Sequence, residues 1–110
     1  MNDWTQYEDG ATIGKKGNEG GLIIRDEVHE TGGRITLEQD CLRAPHAITA
    51  VIYGWLMHTR FLADEPTALH EYTRMQPALV QIGTLLNADG IPDDVDAMDM
   101  AVARFSEQFP

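Results

Sequence analysis

The chain has 110 residues, 43% of them hydrophobic, with eighteen acidic against eight basic side chains and a formal net charge of −10. One domain over residues 1–110 is the expectation, with enough apolar material for a core. That charge argues against a nucleic-acid partner or an anionic membrane surface, because the phosphate term would be repulsive. The lone cysteine, Cys41, forms no internal disulfide, and the first residues lack a basic-then-apolar leader. Both features point to the cytoplasm.

Residues 1–10 are polar around Trp4 and Tyr7, and read as a short strand or a tail pinned by Trp4. The next segment, Gly14–Gly21, is GKKGNEGG, a flexible loop. It does not match a phosphate-binding loop, which needs G-x-x-x-x-G-K-[ST] between a strand and a helix. The dinucleotide fingerprint is absent as well.

Leu22–Val28 and Arg34–Glu38 alternate apolar and polar residues, as two antiparallel strands do. A glycine-bearing connection, His29–Gly33, joins them. Asp26 breaks the alternation by falling on the face of Leu22, Ile24 and Val28. It lies beyond the covered core or is buried against an arginine.

The run Ala44–Ala63, APHAITAVIYGWLMHTRFLA, is apolar nearly throughout. Its length and Pro45 at its start predict a central helix of about 18 residues, roughly 27 Å long. Trp55 would lie on its broad apolar face, and Trp55→Ala would cost about 3–5 kcal/mol if buried. The segment is short for a bilayer and carries His58 and Arg60.

Pro66–Asn87 reads as a further helical region, kinked or divided at Pro77. Met75, Ala78, Ile82 and Leu85 share one stripe at contact-face spacing. After the stop at Ala88-Asp89-Gly90, a last helix begins near Ile91-Pro92. Its apolar stripe is Val95, Met98, Val102, Phe105 and Phe109.

No catalytic signature stands out. The C-terminal acids fail the calcium-loop pattern, since Leu85 and Asp96 would fall at positions 1 and 12. They suit helix capping. The four histidines show no metal-ligand spacing, so neither a metal nor another cofactor is expected. Cys41 reads as a small buried residue. His58 is expected to be partly buried, either as a satisfied core residue or beside Arg60 in a pocket with Arg25 and Asp26.

The fold expected is α+β: a small antiparallel sheet of two to three strands in the N-terminal half, packed against three to four helices in the C-terminal half. The function expected is a non-enzymatic protein-interaction module: an inhibitor, an immunity-type protein or an adaptor. It binds a protein partner or itself, with Met75, Ala78, Ile82 and Leu85 as the homodimer stripe. The alternative is a small ligand-binding domain or enzyme using His58, Arg60, Arg25 and Asp26.

Overall fold

A computed structural model describes residues 3–110. Five antiparallel strands form a meander, β1 (Thr5–Gln6), β2 (Leu22–Val28), β3 (Gly33–Gln39), β4 (His46–Ile52) and β5 (Leu56–Leu62), side by side in chain order. Two helices follow, α1 (Glu65–Gly83) and α2 (Val95–Gln108). The class is α+β as expected. The proportions are not: five strands and two helices replace the small sheet and three to four helices.

The correction centres on Ala44–Ala63. In place of a central helix, this run forms the β4–β5 hairpin, registered from His46↔Leu62 to Ile52↔Leu56. Its connection is Tyr53-Gly54-Trp55, with Gly54 at φ +84°. That left-handed conformation is cheap for glycine alone and closes the turn. Trp55 therefore sits in the turn, half-buried, where its indole Nε1–H donates to the Gly90 carbonyl at 3.2 Å.

Strand pairing assigns the two faces of the sheet. Ile35, Leu37, Ile48, Ala50, Ile52, Leu56 and Leu62 share the helix-facing side. Tyr72, Met75, Leu79 and Ile82 of α1, with Met98, Phe105 and Phe109, complete the core. The other side carries Asp26, Arg34, Thr36, Glu38, Thr49 and Thr59. A bulge between Ile23 and Arg25 shifts the β2 register. It explains how Ile23 and Asp26, three positions apart, are both buried.

Segment 11–21 lies across that second side. The Thr12 hydroxyl donates to Asp26 Oδ2 at 2.9 Å, and the Glu19 amide donates to Glu38 Oε1 at 3.0 Å. Ala47, Ile48, Thr49 and Ala50 are consequently buried whichever way they point.

The helices begin as local chemistry dictates. Asp64 accepts a bond from the Thr67 amide at 2.8 Å, and Asp94 from the Ala97 amide at 3.0 Å. Helix α1 runs through Pro77 as one element, so the expected division there does not occur. Helix α2 starts at Val95 rather than near Ile91. Val95 is exposed, so the buried stripe begins at Met98. No helix among the described residues is long and apolar enough to cross a membrane.

Candidate functional site

The four residues expected to share a pocket are separated. His58 and Arg60 lie on the helix side of β5, in the rows of Glu27/Ile35/Ala50 and Arg25/Leu37/Ile48. Asp26 pairs with Thr36 in the adjacent row, on the opposite side of the sheet. Arg25 shares a side with His58 and Arg60 but stands over the Tyr72 ring, 4.5 Å from its centroid, and donates to Glu27 at 3.1 Å.

His58 and Arg60 grip the residues that follow α2. The imidazole Nε2–H of His58 donates to the Phe109 carbonyl. Arg60 Nε donates to the Pro110 carbonyl at 3.1 Å, and Nη1 to Glu71 at 2.6 Å. Arg74 donates to both oxygens of Glu71, at 2.8 and 2.7 Å. Phe109 lies under both guanidinium groups, at 5.5 and 5.3 Å from its centroid. These groups bind and orient the C-terminal residues, which gives them a structural occupation.

The Arg60 guanidinium, and after it Arg74, holds the Glu71 carboxyl below the usual carboxylate range. A depressed folded-state pKa adds stability that is complete above the ordinary glutamate value of about 4.3. That stability disappears as pH falls through the lower, folded-state value. Glu71→Gln is therefore expected to be less stable than the parent at pH 7, with the difference shrinking below about pH 4. Urea titrations at both pH values check this. An unchanged difference would remove Glu71 from the account.

A buried polar knot adjoins the core. The Tyr72 hydroxyl donates to Glu27 Oε1 at 2.7 Å, and Gln76 Nε2 donates to the same oxygen at 3.2 Å. Burial and the neighbouring Glu27 raise the Tyr72 pKa far above its ordinary value, so the phenol stays protonated. A permanently neutral, fully buried phenol is no general base.

Cys41 is equally inert. Partial burial, then Glu38, Glu19 and Asp40, push its thiol up to about 11. At neutral pH it is not a thiolate, and the thiolate is the nucleophile. Among the described residues no group of three or more His, Cys, Asp or Glu side chains could hold a metal ion.

The proposed self-association stripe is divided by the fold. Met75 and Ile82 are 0% and 4% exposed, inside the monomer's own core. Ala78 is half-buried and packs against that core, and only Leu85 reaches the surface. The amphipathic spacing was a core-facing signal.

Two features remain that the sequence did not single out. The first is the end of the molecule bearing the β4–β5 turn. Residues 51–57 line an open cleft of about 370 Å3. The Trp55–Gly90 bond brings the turn against the loop between the helices. Asn87 Oδ1 closes that loop by accepting from the Asp89 and Ile91 amides at 2.9 and 3.1 Å. Tyr53 is 93% exposed, Met57 70%, Ile91 56% and Val95 51%. Asp89, Asp93, Asp94, Asp96 and Asp99 are all exposed on the inter-helix loop and the first turns of α2. Residues 75–103 contain no lysine, arginine or histidine. This end thus combines apolar side chains with uncompensated negative charge. A hairpin reading of Tyr53-Gly54-Trp55 would have exposed it, because a turn cannot bury all three.

The second feature is a recess of about 280 Å3 on the sheet side opposite the helices, roofed by the glycine loop. Its polar lining includes Lys15, Lys16, Asn18, Arg34, Glu38 and Thr49. Glu38 fills the cradle that the loop's amides form. It accepts from Glu19 and Gly21 at 3.0 and 3.2 Å. A Cβ on Gly17 would fall 2.3 Å from the Glu38 carboxyl carbon, so only glycine lets the backbone approach so closely. The glycine loop is an anion cradle after all, and the anion is the chain's own.

A five-stranded antiparallel meander with two helices on one side, and with His58 and most of its arginines spent on internal contacts, defines a small α+β scaffold. Comparison with protein families, curated proteins and solved structures found no match to this chain.

Proposed function

We propose that the chain is a non-enzymatic protein-interaction module. It docks a basic protein surface through the end formed by the β4–β5 turn and the loop between the helices. The observation that carries this is the coincidence of Tyr53, Ile91 and Val95, each more than half exposed and joined through the Trp55–Gly90 bond, with five exposed aspartates on residues 89–99. Exposed aromatic and aliphatic side chains supply the desolvated centre of an interface. The aspartates around them speed encounter with a cationic partner and reject acidic ones.

A second copy is a poor occupant of this surface. A two-fold contact sets each patch against itself and would oppose the same five aspartates to one another. The inhibitor, immunity-type and adaptor roles all fit a basic partner. The same reading places the chain in the cytoplasm, consistent with its single cysteine.

The test is affinity capture from cells of the source, comparing the parent with a Tyr53→Ser/Ile91→Ser variant. Both positions are exposed, so the variant's melting temperature should stay within about 3 °C of the parent's. The expected result is a basic protein held by the parent, released by raised salt and lost with the variant. Equal retention by the variant, or an acidic or salt-insensitive captured protein, would overturn the reading.

A further inference from the structure

The recess beneath the glycine loop is separate chemically from the acidic end, and its charge is reversed. The chain contains two lysines, Lys15 and Lys16, and both line this one recess together with Arg34. Among the described residues neither lysine side chain has an ion pair or hydrogen bond. In a chain with eighteen acids, two unpaired neighbouring ammonium groups at a concave surface call for an explanation.

The nearby negative groups are already engaged. Asp26 takes Arg34 Nε and Nη2 at 2.9 and 2.7 Å, and the hydroxyls of Thr12 and Thr36 at 2.9 and 3.3 Å. Glu38 takes the amides of Glu19 and Gly21. Arg34 is fixed in place, sandwiched between Asp26 and the Tyr7 ring, whose centroid is 3.6 Å away. Its third nitrogen, Nη1, has no hydrogen bond to a described residue. The Thr49 hydroxyl, which can accept from Thr59 at 3.2 Å and so keep its own proton free, adds a donor on the floor beside Ile23 and Val51.

We propose that this recess binds a small oxyanion: a phosphate ester or carboxylate of a few carbons. Three lining cations face one lining carboxylate, Glu38, whose oxygens are bonded to the loop. Preplaced Arg34 supplies a fixed donor, the two lysines supply charge, and the Thr49 hydroxyl favours an oxygen acceptor. The volume of about 280 Å3 lies at the lower end of ligand pockets and excludes large cofactors.

The test is an amide chemical-shift titration of the full chain at constant ionic strength, with inorganic phosphate, glycerol phosphate and glycolate. The expected result is saturable shifts confined to residues 15–18, 34–36 and 49, at roughly millimolar affinity for the bare anion. Lys15→Ala/Lys16→Ala should weaken this at least about tenfold with the spectrum otherwise unchanged, since removing 1.4 kcal/mol is tenfold. Thr49→Val should weaken it while keeping the strand buried. Saturation by the two phosphates alone identifies a phosphate ligand, and by glycolate alone a carboxylate. Three flat titrations, shifts spread equally to Arg43 and Arg104, or identical titration of the double variant would each overturn the site.

Discussion

Phe109→Ala is expected to destabilise the protein by about 3–5 kcal/mol, lowering the melting temperature by roughly 12 °C or more. This is a large effect for a residue beyond the last helix, where helix ends usually fray. Phe109 is fully buried, and its ring centroid stands 4.9 Å from that of Phe105. Its carbonyl is held by His58, and two guanidinium groups rest over its ring. Truncation would leave a cavity between β5 and the helices and strip Arg60 and Arg74 of their apolar platform. Urea unfolding followed by tryptophan fluorescence measures it. A loss under about 1 kcal/mol would mean that the last turn of α2 is dispensable.

Asp26→Ala should cost about 3 kcal/mol, the lower part of the range for breaking a buried ion pair. The lower part applies because the Arg34 side chain is 35% exposed and can recover some hydration. Asp26 is 1% exposed and accepts from three residues at once. It anchors β3 through Arg34 and Thr36, and the N-terminal segment through Thr12. The loss should therefore be accompanied by faster amide exchange over residues 7–21, where that segment lifts from the sheet. Full stability in the variant, or loosening limited to β3, would contradict the anchor. Asp26 is also what keeps Arg34 protonated most firmly, through their two-point hydrogen bond.

The hairpin of β2 and β3 was legible in the sequence because those strands alternate. Asp26 fitted one of its two readings, buried against an arginine. The β4–β5 hairpin was not legible for a specific physical reason. His46 through Ala50 are buried on both sides of the sheet, by the helices and by segment 11–21. A strand buried on both faces loses its alternation and cannot be told from a buried helix by period alone. Counter-evidence was present: Ile48, Thr49, Val51, Ile52 and Thr59 are β-branched, and Gly54 sits mid-run. The alternation of Met57, Thr59 and Phe61 with His58, Arg60 and Leu62 is a strand period. That misreading also scattered the expected pocket, because a helical wheel and a pleat place His58, Arg60 and Asp26 on different sides. The recess with Lys15, Lys16 and Arg34 was out of reach, since it needs the loop's path across the sheet. The start of α1 near Pro66 was legible, whereas that of α2 was set near Ile91 because Pro92 suits a first turn, and the Asp94 side chain instead caps the helix at Val95.

The meander topology has a consequence for how the chain reaches this structure. Every strand hydrogen-bonds only to the strand next to it in the chain, with no crossover. Apart from β1 with β2, which residues 7–21 separate, each pairing closes a short loop, and the entropy lost per closure is small. The sheet can zip hairpin by hairpin during synthesis, before α1 and α2 exist to cover it. In that interval the helix side of β3 and β4 is bare, and Phe109 and Pro110, beyond α2, are the residues His58 and Arg60 later receive. The sheet's pairings thus form independently of the clasp, and a chain cut before Phe109 would keep the meander and lose the contacts that seat the end of α2 on β5.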